Sequence, residues 1–412
     1  MCHIVQGMCH IVHLTFVRKI QSFYRLDSDT FYRFFIIFAE NTLCTMIHLI
    51  VSFLPLVVCA FWSVAIALNL WEQGNCAARR QLLWWAITAT LLYAGHFVFF
   101  NRMTSDIPVS DTIYVVCNLL VYPLYLYYIT VLTQGTVSSR QRWLTVLPPM
   151  LIGIFVATVY VMMSDDECRQ FVDTYLYKNC TQGLSGLAMV QAVVHQLAKC
   201  LFAIGLLVVL FVGIRRIRRY NRLIDSIYAD NDDKRLYGIT TILILMVLTG
   251  VLSFAVNAVG RFVFLSSEIP FAVLACFFSG LLYLLCYRGF VQQFSFADIA
   301  QEEREETIVE TPEEGYSQLL QKIDDKRLYL QPGLTLAELA QQLGTNRTML
   351  SKLVNEETGM PFAEFINRKR IAYVRRLEKE NPEARKEDLA EQAGYTSMRS
   401  FYRNYNLYSD SI

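Results

Sequence analysis

Leu339-Ala340-x-x-x-Gly344 recurs fifty positions on as Leu389-Ala390-x-x-x-Gly394, and each copy leads into a short turn and an apolar-periodic stretch. Leu350, Lys352 and Val354 after the first copy are answered by Phe401, Arg403 and Tyr405 after the second. Helix, glycine turn, helix, then the same again, is the pattern of two helix-turn-helix units in tandem, a device that reads DNA. The first unit opens on Thr335-Leu336-Ala337-Glu338, a capping box in which the threonine takes a backbone N–H and the glutamate reaches back. Gly344 supplies the turn, and Asn346 is placed to cap the helix over 347–356. There Leu350, Leu353 and Val354 face inward, leaving Asn346, Arg347, Thr348, Ser351 and Lys352 for the major groove. The second recognition helix, over 397–407, offers Met398, Arg399, Tyr402 and Arg403. Between them 362–379 reads as one helix closed by Asn381-Pro382. At 1.5 Å per residue it spans on the order of 27 Å, close to the ~34 Å that separates successive major-groove faces.

Upstream of this module the composition changes. The chain is 54% hydrophobic and only 18% charged, with a formal net charge of +1, so bulk charge names no partner. The apolar excess lies in the first 290 positions, as seven runs near 47–71, 82–100, 113–132, 143–163, 193–214, 239–264 and 269–287. Each approaches the roughly 20 residues that a hydrocarbon core requires. Seven such runs in succession predict a polytopic membrane domain. Short-loop Arg and Lys set its orientation. Arg79 and Arg80, Arg140 and Arg142, the cluster from Arg215 to Arg235, and Arg288 follow the odd-numbered runs. The N-terminus of the first span is therefore expected outside and the C-terminal module in the cytoplasm. All eleven cysteines lie at or before Cys286, which suits a reducing compartment for the rest.

The longest outer loop, 164–186, holds Cys168 and Cys180. A disulfide between them would brace the loop in an oxidising exterior; two separate thiols are the alternative. Ionisable residues within spans are costly and so are functional candidates. Gln191, His195 and Lys199 fall at i, i+4 and i+8 on one helix face, and His96 lies in another span. They outline a polar pocket for a small ligand, or else interhelical hydrogen bonds with Lys199 snorkelling to the interface. In residues 1–46 Met1-Cys2-His3-Ile4-Val5 repeats at Met8-Cys9-His10-Ile11-Val12, and the basic residues there oppose the orientation argument. The start of the protein is accordingly expected at Met46. The stretch 288–315 is acidic, with seven glutamates from Glu302 to Glu314 against Arg304, and reads as an extended spacer. An amphipathic helix follows over 316–330, to pack on the module or on a second subunit.

Several motifs of the module then occur in order. Leu334-Thr335-Leu336-x-x-Leu339-Ala340-x-x-Leu343-Gly344-x-Asn346-x-x-x-Leu350-Ser351-Lys352 precedes Thr358-Gly359-x-Pro361-Phe362-x-x-Phe365-Ile366-Asn367-x-x-Arg370-Ile371. Together with Leu389-Ala390-x-x-x-Gly394-Tyr395-x-Ser397-x-x-x-Phe401-x-Arg403-x-Tyr405, this resembles the AraC/XylS family of bacterial transcription regulators over about a hundred residues. The resemblance implies promoter DNA as partner, recognition-helix contacts to bases and phosphates, and a bacterial inner membrane as location. Two departures are visible. Lys386 stands where the family has an apolar residue, and the family's closing Gly and Ser-Pro tail is missing. The missing tail is expected to loosen the second unit, giving mainly phosphate contact or folding on DNA.

The expected protein is all-α: an N-terminal extension (1–46), a seven-helix transmembrane domain (47–287), an acidic linker (288–315) and an AraC-type module (316–412). Its expected partners are double-stranded promoter DNA, membrane lipid, a small-molecule or protein signal, and a second copy, since paired modules gain effective concentration on adjacent half-sites. No cofactor or metal site is expected, and with no P-loop, zinc-protease motif or intramembrane carboxylate pair, no enzymatic activity. A receptor or scaffold whose helix-turn-helix binds protein is the rival reading. A transporter would show paired, interrupted helices in two halves, and Pro148-Pro149 is a lone interruption.

Overall fold

A computed structural model describes residues 28–73, 76–103, 106–229, 234–259, 268–292 and 316–409. Residues 1–27, most of the acidic linker (293–315) and the tail 410–412 lie outside that set. Among the described residues, eight helices make the N-terminal body: α1 (Ser28–Gln73), α2 (Ala77–Phe100), α3 (Ile107–Gln134), α4 (Ser139–Met162), a short α5 (Asp165–Gln170) running into a π turn (Phe171–Leu176), α6 (Gly186–Ile227), α7 (Tyr237–Val259) and α8 (Glu268–Val291). Consecutive helices pack side by side, α3 also meets α6, and α8 returns to α1, so the bundle closes on itself. Close approaches are made at glycines: a Cβ on Gly250 would meet Tyr122 Oη at 2.6 Å and Leu206 at 2.7 Å.

Six of these helices are long and apolar enough to cross a membrane: α1 within 46–72, α2, α3, α4, α6, and α8 within 271–291. α7, where a seventh span was expected, is a 23-residue helix whose described apolar stretch, Gly238–Val251, is shorter. Leu151, Ile154, Leu201, Leu207 and Phe211 are exposed on the outside of the bundle. A body apolar both within and without suits lipid better than water. Pro55, Pro123 and the Pro148-Pro149 pair all sit inside continuous helices. Pro148-Pro149 is therefore no interruption, because neighbouring helices support the freed backbone groups.

Two helices run longer than their apolar stretches. α1 begins at Ser28, well before Met46. α6 continues 13 residues beyond the expected end of its span, through Arg215, Arg216, Arg218, Arg219 and Arg222 to Ile227. Arginine ends a hydropathic run without ending a helix, since it is a good helix former.

The module holds α9 (Tyr316–Asp325), a 3-10 turn (Leu328–Leu330), α10 (Leu336–Gln342), α11 (Arg347–Thr358), α12 (Phe362–Glu380), α13 (Lys386–Gln392) and α14 (Met398–Tyr408). It has two cores. Leu319, Ile323, Leu339, Leu350, Val354 and Ile366 fill the first, so α9 packs on the module itself. Ile371, Val374, Leu389, Phe401 and Tyr408 fill the second. Ala229, just past α6, is fully buried in the first core.

Candidate nucleic-acid interface and a cavity at the loop end

Both turns take the form their glycines allow. Gly344 and Gly394 adopt φ of 68° and 78°, a left-handed conformation that side chains with a Cβ resist. The Thr335–Glu338 capping box forms in full, and Asn346 Oδ1 accepts the Met349 N–H at 2.8 Å. Ser397 caps α14 from the equivalent position. These caps aim α11 and α14 with one turn of each held on the module's surface.

On α11 Thr348 and Lys352 are exposed, while Arg347 and Ser351 are half-buried. Lys352 lies 3.7 Å from Glu356, both well exposed, a pairing weak enough to yield to a phosphate. Asn346 spends its side chain on the cap. On α14 Arg399 and Tyr402 are exposed. Two residues expected on this face turn inward. Met398 packs against the second core, and Arg403 is half-buried with its charge near Tyr408. The reason is that Tyr408 closes the second core, and Arg368 stacks 4.9 Å over its ring. Burial pushes the Tyr408 phenol up, Glu364 adds to the rise, and Arg368, Arg403 and Arg235 oppose it. Of the residues expected to contact DNA other than the cap Asn346, the exposed ones are thus Thr348 and Lys352 on one helix, Arg399 and Tyr402 on the other.

The strut between them is α12, 19 residues long, or about 28 Å at 1.5 Å per residue. Arg370 in its middle is fully buried and donates to the carbonyls of Tyr329 and Gln331, each at 2.7 Å. It is an internal tie and takes no part in the outer face.

Lys386 is tied into the second unit. Its ammonium bonds Glu378 and sits 4.0 Å over the Tyr405 ring, and Tyr405 Oη donates to both Glu378 oxygens at 3.0 and 3.1 Å. Burial alone would raise the Glu378 carboxyl, but the bonds from Lys386 and Tyr405 outweigh it and hold it low. Burial would likewise lower Lys386, and its bonds to Glu378 and Tyr405 raise it instead. A polar clasp replaces the expected apolar contact.

Residues 339–408 match the family model described as a helix-turn-helix domain. The module is an AraC-type helix-turn-helix domain. The match begins at Leu339 and includes no part of the helical bundle, and no curated protein matches the chain. An AraC-type domain is a DNA-binding regulator module, and here it is fixed to its bundle by backbone. The Ala229 N–H donates to Leu334 O at 3.2 Å, and Asn367 Nδ2 donates to Ala229 O and Ala363 O, each at 2.7 Å. Asn367 is 2% exposed, so both polar groups of Ala229 are satisfied inside the AraC-type domain.

At the opposite end, beside the 164–186 loop, α3, α6, α7 and the π turn line a partly open cavity of about 60 Å³. His195 and Lys199 line it. His195 Nε2 is 2.7 Å from Asp111 Oδ2, Nδ1 is 2.8 Å from Gln191 O, and Tyr160 Oη donates to Asp111 at 2.8 Å. The Lys199 ammonium donates to Asn179 Oδ1 at 3.1 Å and lies 5.0 Å from the Tyr175 ring. Gln191 is fully buried against Val156 O and serves as scaffold. His96 stacks on Tyr93 and Phe100, meets Tyr114 edge-on, and borders a smaller neighbouring cavity that shares Asp111. Asp111 was missed because it stands two residues before its apolar run begins, though its helix starts at Ile107.

The Cys168–Cys180 bridge is not present; both are free thiols. The loop is braced by Glu167, which closes a capping box with Ser164 and accepts the Leu187 N–H at 3.1 Å, and by Gln170, which donates to Gly183 O at 2.7 Å. Hydrogen bonds from Ser164 and Leu187 hold the Glu167 carboxyl below its ordinary value.

Proposed function

We propose that this protein is a membrane-anchored, one-component transcription regulator. α7 completes seven spans, the 164–186 loop faces outward, and the AraC-type module lies in the cytoplasm of a bacterium, at the inner membrane. Thr348, Lys352, Arg399 and Tyr402 read promoter DNA sequence-specifically, with Arg347, Ser351 and Arg403 at the margins of the contact. A signal received in the membrane domain, small molecule or protein, changes how the modules are presented, and a second copy occupies the adjacent half-site. The protein carries no catalytic activity of its own.

The observation that carries this reading is α6. One uninterrupted helix lines the loop-end cavity with His195 and Lys199 and ends two residues before Ala229, which is buried in the module's first core. A helix is stiff over that length, so displacement at one end reaches the other.

Genome-wide DNA crosslinking of the full-length, membrane-bound protein tests it, beside a Lys352→Ala, Arg399→Ala double variant. Discrete peaks that vanish in the variant are expected. An abundant membrane protein with no peaks under any growth condition would favour a protein-binding scaffold. In vitro, each substitution is expected to lower the salt slope of binding by about 0.9.

A further inference from the structure

Beyond Ile214, α6 carries five arginines, and four of them share one face. Arg215, Arg218, Arg219 and Arg222 stand at i, i+3, i+4 and i+7 and are all exposed. Ile217, Tyr220 and Ile224, on the other side of the helix, are buried. Traced back into the apolar stretch, the arginine face continues through Phe211, Val208, Leu207 and Ile204, which are exposed as well. In a membrane acyl chains cover those four, so the arginines extend the same lipid-facing strip. The exit from hydrocarbon is marked independently on α4. Arg216 donates to Thr130 Oγ1 and Tyr127 Oη donates to Gln141 O, which sets the start of α4 level with this turn of α6. Trp143 is exposed there, in the setting of an interfacial aromatic anchor. At 1.5 Å per residue, Arg215 to Arg219 lie roughly 2–8 Å past Ile214, inside a headgroup layer about 5–8 Å deep. None of the four exposed arginines is ion-paired among the described residues. The one carboxylate of α6 is Asp225, and Arg235 Nε holds it at 2.6 Å.

We propose that this face of α6 is a docking surface for anionic phospholipid headgroups of the leaflet on the module's side. A lipid whose chains lie along Leu207 and Phe211 places its phosphate beside Arg215, Arg218 and Arg219. Guanidinium groups suit phosphate oxygens, which they bind two at a time. Orientation alone needs only a count of basic residues on one side. It does not need them on one face, in register with lipid-covered side chains. That register also favours lipid over the glutamates of 302–314 and over DNA, neither of which has a reason to follow it. Ala229, seven residues beyond Arg222, is buried in the AraC-type domain, so lipid held here steadies the stem that carries the domain. The inference rests on the membrane location in the proposed function and is independent of DNA.

Sedimentation of the protein with cell membranes is read first; a protein found elsewhere overturns the membrane location and this inference together. Native mass spectrometry of the purified full-length protein in detergent then tests the inference alone, with phosphatidylglycerol titrated against phosphatidylcholine of equal chain length. Phosphatidylglycerol is expected to bind on the order of thirtyfold more tightly, about fivefold for each of two arginines at one headgroup. Arg215→Gln with Arg218→Gln should remove most of that preference, and Arg215→Lys with Arg218→Lys should keep it. A melting curve in detergent checks that both pairs fold. Equal binding of the two lipids overturns the proposal, as does a preference that survives the glutamine pair. A preference seen only after the glutamates of 302–314 are changed to glutamine gives the face to the linker instead. Loss of affinity for random-sequence DNA in the glutamine pair, with the lipid preference intact, gives it to DNA. The crosslinking peaks are read on the wild type in cells, so a failed lipid preference leaves them standing.

Discussion

Gly344 and Gly394 occupy the same place in the two units, with φ of 68° and 78°, yet they carry different burdens. Around Gly344 an added Cβ meets nothing within 4 Å, whereas at Gly394 it would collide with the backbone carbonyl of Leu330. Gly344→Ala should cost about 1–2 kcal/mol, the left-handed penalty alone. Gly394→Ala should cost on the order of 2–5 kcal/mol, because a rigid carbonyl must also move. Denaturant titration of the full-length variants, followed by hydrogen exchange in α13 and α14, measures both; equal costs would show that the Leu330 contact yields freely. Lys352 and Arg403 diverge in the same way. Equivalent in sequence, one is exposed and the other half-buried beside Tyr408, so Arg403→Ala should lower stability and Lys352→Ala should lower DNA affinity with stability kept.

Among elements, the clasp of α12, α13 and α14 through Glu378, Lys386 and Tyr405 ties stability to pH. A carboxyl held below its unfolded value of 4.5 stabilises above that pH, and the gain is lost as pH falls through the lower, folded value. An ammonium held above 10.5 stabilises below that pH and loses its gain as pH rises through the higher, folded value. Between those limits the clasp is fully formed. Glu378→Gln should therefore destabilise the second unit by about 1.5–3 kcal/mol at neutral pH, the range for a hydrogen bond to a charged group, and by progressively less at acid pH as the wild-type carboxyl is protonated. Hydrogen exchange of α14 amides at the two pH values reads the difference; an equal loss at both would assign the effect to packing. Such clasps also mark where the sequence stops being legible. Capping residues and turn glycines act within four or five positions, so Thr335, Glu338, Asn346 and Gly344 could be read one by one, and the bounds of α11 and α12 fell within two residues, whereas the helix expected over 316–330 ends at Asp325 and gives way to a 3-10 turn. Lys386 looked like a defect because its partner lies eight residues back and its ring nineteen ahead. Asp111 stayed hidden because its partner, His195, is 84 positions away. The length of α6 was concealed by hydropathy, which falls at Arg215 while helix propensity does not.

At the scale of the whole molecule, the bundle and the AraC-type domain meet through backbone as well as side chains, and that sets what a break would do. Ala229 is fully buried in the first core, pairs through its N–H with Leu334, and its carbonyl is held by Asn367. Ala229 and Asn367 are buried whereas Thr348, Lys352, Arg399 and Tyr402 are exposed, so docking and the proposed DNA contact use different residues. A charge at Ala229 cannot remain in that core, since an unpaired buried carboxylate costs several kcal/mol or more. Ala229→Asp should release the module from α6 while its remaining core residues hold it together. DNA binding should then persist with the same salt slope, but DNA occupancy should no longer respond to any condition that alters it in the wild type. Asn367→Leu, which leaves the carbonyl of Ala229 without this donor, should do the same in weaker form. Limited proteolysis between α6 and α10, read beside crosslinking occupancy, separates the outcomes. Faster cleavage with constant occupancy means that α6 is the line of communication; faster cleavage with occupancy still responsive means that the signal travels by another route.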